Sequence, residues 1–234
     1  MAVFGERKAV YSMSERHGSL SINSDNIFPI IKKWLYSDHD IFIRELVSNG
    51  CDAITKLKKL DMMGEYNFPE GHKNKVEVIL DPEKKTLKFI DTGLGMTADE
   101  VEKYITQIAF SGATQFLEQY KDKTEGDQII GHFGLGFYSA FMVASKVRVE
   151  SKCYGAEKAY AWESEGAEGY TIDECDKLDF GTKIILTLKA DTDDEKYSDF
   201  LAEYKIEELI RKYSDYIRYP IKMNVETQKM KEGT

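Results

Sequence analysis

Cysteine is scarce in this chain, with three residues in 234 (Cys51, Cys153 and Cys175), an odd number without C-x-x-C spacing. That argues against both a disulfide framework and a zinc site. Long apolar runs are missing too: none approaches the roughly 18 residues that a membrane span needs. The segment Met1–Arg16 mixes charges and lacks the apolar centre of a signal peptide. The expected location is the cytoplasm, without a membrane partner. Excess positive charge is also absent. Lys and Arg number 32 against 41 Asp and Glu, a net charge of −9, and the basic residues are scattered rather than striped. Nothing marks a nucleic-acid surface. His17, His39, His72 and His132 show no metal-ligand spacing and are expected at the surface. No internal repeat or low-complexity tract is visible.

What is present supports a folded domain. A 42% hydrophobic and 12% aromatic content can fill a core, and a domain of this length buries roughly 70–75% of its unfolded surface. An acidic protein that binds an anion needs local devices such as aligned backbone amides, a helix N-terminus or a metal ion.

Periodicity gives the element order. A first helix starts after Ser24 or Asp25, with Ile27, Ile30, Ile31, Trp34 and Leu35 as its stripe, and a second runs from about Asp40 to Leu60. Val76, Val78 and Leu80 alternate, Asp81-Pro82-Glu83-Lys84 turns, and Leu87 and Phe89 alternate back, which predicts a hairpin. Thr97 and Glu100 have capping-box spacing and open a helix carrying Val101, Tyr104, Ile105 and Ile108. From Ser111 to Gly136 glycines interrupt the pattern, as in a lid or mobile loop. A helix Phe137–Ala144 follows, then strand-like runs at 146–151, 159–164, 169–173 and 183–188. A helix from Ser198 to about Tyr216 carries Leu201, Tyr204, Leu209, Ile210 and Tyr213, and a strand Ile221–Val225 leads into a polar tail. Strands without intervening helices in the second half favour an α+β layer architecture.

Four stretches carry chemistry. On the second helix Glu45, Asn49 and Asp52 share one face, while Leu46, Val47, Ile54 and Leu57 point toward a core. Taken alone this is a solvated face with an Asp52–Lys56 surface pair. It also suits a carboxylate that takes a proton from water and an amide oxygen that ligates Mg²⁺, with Arg44 restraining Glu45. The segment Asp91-Thr92-Gly93-Leu94-Gly95-Met96 follows a strand and precedes the capping box. An ionised carboxylate only accepts hydrogen bonds, so it suits the amine of adenine and opposes the carbonyl of guanine. Gly93 and Gly95 admit the ring edge, and Met96 supplies an adaptable wall. The run Gly131-His132-Phe133-Gly134-Leu135-Gly136-Phe137 spaces glycines as G-x-x-G-x-G, neither a dinucleotide fingerprint nor a P-loop; it fits an anion site or a tightly packed hinge. Gly181-Thr182 opens a strand.

In this order and spacing, together with Ile41-Phe42-Ile43-Arg44-Glu45-Leu46, Gly134-Leu135-Gly136-Phe137-Tyr138-Ser139 and Tyr219-Pro220-Ile221, these stretches resemble the N-terminal ATP-binding domain of the ninety-kilodalton heat-shock chaperones, especially the bacterial high-temperature protein G type. The resemblance spans about Ser19 to Val225. It implies a two-layer α+β sandwich with a mixed, mainly antiparallel sheet covered on one face by helices. It also implies an N-terminal extension at 1–18, an ATP-binding domain at 19–226 and the start of a linker at 227–234. By resemblance Glu45 is the general base, assisted by Arg44, and Asn49 carries Mg²⁺. Asp91 receives the adenine amine with Thr182 and ordered water. Ala53, Gly95 and Met96 line the base pocket, Asp52 is a further nucleotide-binding residue, and Gly134, Gly136 and Phe137 present backbone to the phosphates beneath a lid at 111–136. The implied ligands are ATP or ADP with Mg²⁺. The implied parent is a homodimeric chaperone that acts on unfolded or partly folded client proteins and hydrolyses ATP, slowly in this isolated domain.

Three positions depart from the family pattern. Tyr104 stands where asparagine is usual, Phe110 where lysine is usual, and Ala113 replaces a common threonine. A non-catalytic nucleotide sensor is therefore an alternative. A signalling kinase would need a phospho-acceptor histidine on a preceding dimerisation helix, and no histidine is so placed. The −9 charge lacks the nucleic-acid face of topology or mismatch-repair ATPases.

Overall fold

The computed structural model describes residues 39–106, 136–166, 169–213 and 217–225. The expected first helix, most of the lid, Gly134 and Phe110 lie outside the described residues.

Helix α1 spans Ile41–Met62, two residues longer at its C-terminal end than the periodicity suggests. Its apolar positions fall on one side, and Phe42, Ile43, Leu46, Val47, Ile54 and Leu57 are all at most 2% exposed. Phe42 sets its ring edge-on to Phe89 and to Phe200, at centroid distances of 6.3 and 5.1 Å. Each side chain buried in this way stabilises the fold by roughly 1.5–3 kcal/mol.

Strands β1 (Val76–Asp81) and β2 (Thr86–Asp91) form the expected hairpin. Asp81 Oδ1 accepts the Lys84 amide at 3.0 Å, which closes the turn. Helix α2 (Ala98–Thr106) opens on the expected capping box. The Thr97 amide donates to Glu100 Oε2 at 2.9 Å, and the Glu100 amide donates back to Thr97 Oγ1 at 3.3 Å. After residue 135 the chain makes a single 3₁₀ turn, Gly136–Ser139, and the one-turn helix α3, Ala140–Val143. It enters strand β3 directly at Ala144, because Ala144 already has extended backbone angles.

Strands β4 (Ala159–Ser164), β5 (Tyr170–Cys175) and β6 (Gly181–Leu188) follow. The helix expected over 198–216 is two pieces: a 3₁₀ turn, Tyr197–Leu201, and helix α4, Glu203–Tyr213. Ala202, with ψ of 124°, breaks the helical run. The break turns Phe200 against Phe42 and shifts the phase of α4. Ile206 and Leu209 therefore reach the core at 0% and 1% exposure, while Tyr204, expected on the stripe, is 70% exposed. Strand β7 is Ile221–Val225.

The sheet order is β5-β4-β3-β6-β2-β1-β7. All neighbours are antiparallel except β1 and β7, which run parallel. This is the α+β architecture with a mixed, mainly antiparallel sheet. Alternation sends Val78, Leu87, Phe89, Val147, Val149, Trp162, Ile184 and Leu186 toward the helices. The other face carries a ladder of charge: Lys146–Glu163, Arg148–Glu150 and Lys183–Glu150 pair at 2.6, 2.9 and 3.0 Å.

One end of the helix-facing surface is polar. Thr182, Ser151 and Tyr160 lie side by side on β6, β3 and β4, and Asp91 sits one residue past the Ile90–Lys183 pair of β2 and β6. A polar row crossing an apolar sheet face marks where to look for a ligand.

Candidate nucleotide site

Asp91 ends β2 with its carboxylate turned under α1. Its Oδ1 accepts the Gly93 amide at 2.8 Å and the Thr182 amide at 3.4 Å, while Oδ2 makes no hydrogen bond among the described residues. Burial pushes this carboxyl up from its ordinary 3.8 to about 7, against the pull of the two amides and of the Lys177 ammonium. A buried carboxylate with one oxygen anchored and the other open is an acceptor in search of a donor.

Close backbone approach brings α1 to this strand end. A Cβ at Gly93 would lie 2.5 Å from Ala53 Cβ and 2.6 Å from the Ala53 carbonyl carbon, so no side chain fits there. The Leu94 amide donates to the Ala53 carbonyl at 3.3 Å, and the Tyr154 amide donates to the Leu94 carbonyl at 2.9 Å. The loop between β2 and α2 is thus tied to α1 on one side and to the end of β3 on the other. Gly95 has φ of +71°, and a Cβ there would meet the Lys152 carbonyl at 1.9 Å. We expect Gly93→Ala to destabilise the domain by about 2–4 kcal/mol, because the obstructing atoms are helix backbone rather than a mobile side-chain end. Denaturant unfolding of the two proteins measures this directly.

The α1 face is not the solvated surface that its sequence suggests in isolation. Asp52 is 6% exposed, and Asn49 and Ala53 are half-buried. Lys56, expected to make a surface pair, is also half-buried. Burial lowers its amine below the usual lysine value, while the nearby Asp52 and Glu100 carboxylates pull the other way. Cys51 is buried beside them, its thiol pushed up to about 12 by burial, with Asp52 and Asp91 adding to the shift.

One turn earlier, Arg44 donates from Nε and a terminal nitrogen to the same Glu45 oxygen, Oε1, at 3.0 and 2.7 Å. Glu45 Oε2 is turned toward Gly136, where a Cβ would come within 2.3 Å of it. The glycine opening the 3₁₀ turn leaves room for this carboxylate. Phe137 is 7% exposed and packs edge-on against Trp162 and Tyr138, both at 5.7 Å. Its ring belongs to the core, so only its backbone is free to face a ligand.

The structure therefore groups Asp91, Thr182, Ala53 and the 93–96 loop beside the middle of α1, and Arg44, Glu45 and Gly136 near its N-terminal end, with Asn49 and Asp52 between. Gly134 lies outside the described residues.

Two residues escape sequence reasoning. Lys56 reads as one of several lysines on a helix. Ser151 reads as an ordinary strand serine, yet it is 0% exposed and bonds Met96 and Thr182. Its only sequence signal is a hydroxyl at an inward position of β3.

Residues 37–179 match the family described as "Histidine kinase-, DNA gyrase B-, and HSP90-like ATPase". The chain is similar to proteins named Chaperone protein HtpG. It is 45% identical to that of Bacillus velezensis over 219 residues, covering 94% of this chain and 35% of the relative. It is 48% identical to that of Bacteroides thetaiotaomicron over 205 residues, covering 87% and 29%. With the Clostridium botulinum protein it shares 44% over 227 residues, covering 97% and 34%. The chain thus spans about a third of the length of these relatives.

Proposed function

Because the chain belongs to the family of histidine kinase-, DNA gyrase B- and HSP90-like ATPases, we propose that it binds and hydrolyses ATP as the nucleotide-binding domain of a molecular chaperone. The observation that carries this reading is the Asp91 carboxylate, with one oxygen held by two backbone amides and the other making no hydrogen bond among the described residues. That oxygen accepts the exocyclic amine of adenine, and Thr182 beside it meets the neighbouring ring nitrogen. Guanine presents the reverse pattern and is rejected.

At the far end of α1, Glu45 Oε2 orients the attacking water and takes its proton, while Arg44 holds Oε1. Among the described residues no cluster of three or more His, Cys, Asp or Glu is arranged to hold a metal. The Asn49 side-chain oxygen would hold Mg²⁺ in a site of another kind, together with water and the nucleotide's own phosphate oxygens. When bound it would neutralise phosphate charge in a protein whose net charge is −9. Gly136 and the backbone of Phe137 approach the same phosphates.

Lid closure over the nucleotide, dimerisation and binding of unfolded clients belong, on this reading, to the longer protein that the HtpG relatives exemplify. Among the described residues no helix is long and apolar enough to cross a membrane, and the proposed location is the cytoplasm.

The test is calorimetric titration of the 234-residue chain with ATP and with GTP, each with Mg²⁺. We expect ATP to bind and GTP to bind at least about 100-fold more weakly, as for a buried acceptor left facing a carbonyl. Equal affinities would refute the assignment.

A further inference from the structure

Ser151 connects two parts of the base site that the chain places 86 residues apart. Its Oγ accepts the Met96 amide at 2.9 Å, so it holds the loop that leads out of Gly95. The same oxygen lies 2.9 Å from Thr182 Oγ1, with either hydroxyl able to donate, and 3.4 Å from the Gly181 carbonyl. Ser151 is 0% exposed and Thr182 7%, so water does not compete freely for these hydroxyls.

Counting protons gives two arrangements. In the first, Thr182 donates to Ser151 and Ser151 donates on to Gly181, and Thr182 shows the pocket only a lone pair. In the second, Ser151 donates to Thr182 and the Thr182 proton is turned outward. The 2.9 Å bond exists in both. Changing from the first to the second gives up only the 3.4 Å contact, which is long for a hydroxyl bond, so it is readily exchanged for a ligand.

We infer that Ser151 is a positioning residue that turns Thr182 into a hydrogen-bond donor toward the ring nitrogen next to the adenine amine. The inference rests on the reading of Asp91 as the adenine acceptor and extends it. Asp91 accepts and Thr182 donates, which together complement the donor–acceptor edge of adenine, directly or through one water. Ser151 touches no ligand; it sets the direction of the chain Met96 N–H to Ser151 to Thr182 to nitrogen.

The test compares ATP with 1-deaza-ATP, in which that ring nitrogen is a C–H, and with 7-deaza-ATP, altered on the opposite side of the purine. Affinities are measured by calorimetry on the 234-residue chain, for wild type, Ser151→Ala, the near-isosteric Ser151→Cys, and Ser151→Thr. Loss of one oriented hydrogen bond is about fivefold to tenfold in affinity. Wild type should show that loss with 1-deaza-ATP. In Ser151→Ala ATP itself should weaken by a similar factor and 1-deaza-ATP should then bind about as well as ATP. Ser151→Thr should restore the discrimination, and the 7-deaza ratio should stay the same in every protein. Should Ser151→Ala not fold, Ser151→Cys carries the same comparison. An unchanged 1-deaza ratio in the variants, or a parallel fall for all three nucleotides, overturns the inference while leaving the Asp91 assignment standing. Wild-type affinity for ATP that survives Asp91→Asn removes the assignment and the inference with it.

Discussion

Replacing Asp91 with asparagine will abolish ATP binding, leave the fold intact and, above pH 7, make the free domain more stable. The side-chain oxygen of asparagine can still accept the Gly93 and Thr182 amides, but its NH₂ then faces the adenine amine, donor against donor. The stability change comes from burial. The folded carboxyl titrates at about 7 instead of 3.8. Its favourable contribution is therefore complete below pH 3.8 and lost as pH rises through 7, where the folded chain must ionise a buried group.

At pH 8 that ionisation costs the wild type about 4 kcal/mol, from the shift of 3.8 to about 7, which the neutral asparagine avoids. The unpartnered NH₂ returns about 1–3 kcal/mol of the difference. The remainder is at least about 1 kcal/mol, a rise of about 2 °C or more in melting temperature for a domain of this size. At pH 4 only the unpartnered NH₂ counts, and the variant should melt below wild type. Thermal melts at both pH values and a calorimetric ATP titration test this together. The same titration places the wild-type ATP affinity highest above pH 7 and falling as the carboxyl takes up its proton. Undiminished ATP affinity in the variant would remove Asp91 from the site.

Glu45→Ala should separate binding from chemistry. The Glu45 side chain is one-fifth exposed, and its Oε1 is already occupied by Arg44. Its removal takes no contact from the base, so ATP affinity should be unchanged. Loss of a general base costs roughly 10²–10⁴ in rate. The measurement is single-turnover hydrolysis of labelled ATP, in this chain and in the longer protein. Retained hydrolysis in the variant would assign the base elsewhere. A wild type that binds ATP yet never turns it over in the longer protein would favour a sensor, the reading that the departure at Tyr104 keeps in view.

Much of the fold was readable from local pattern. The α1 stripe, the β1–β2 hairpin and the Thr97–Glu100 capping box depend on residues within a few positions of each other, and each stands where the spacing puts it. The break at Ala202 was not readable, because nothing between Ser198 and Tyr216 is a helix breaker; Phe200 is drawn to Phe42, 158 residues earlier in the chain. The entry into β3 at Ala144 is similar, since Ala140–Val143 is only one turn and its residues suit either state.

In the candidate site, Asp91 and Glu45 stand out in the sequence because a carboxylate followed by two glycines, or one turn from an amide, is a local signature. The burial of Asp52 and Lys56 depends on what covers α1. Ser151 gains its meaning from Met96 and Thr182, 55 and 31 residues away. Sequence carries the chemistry of such residues but not their company.

Helix α1 holds the hydrolytic end and the base end of the proposed site on one rod. From Glu45 to Ala53 is eight residues, about 12 Å at 1.5 Å per residue, and a helix packed on a sheet does not stretch. On the proposed reading the domain would gauge its ligand by length as well as by edge chemistry. A monophosphate would satisfy Asp91 without reaching Glu45, whereas a triphosphate would span both. On that reading, loss of the terminal phosphate would leave a ligand too short to span the two.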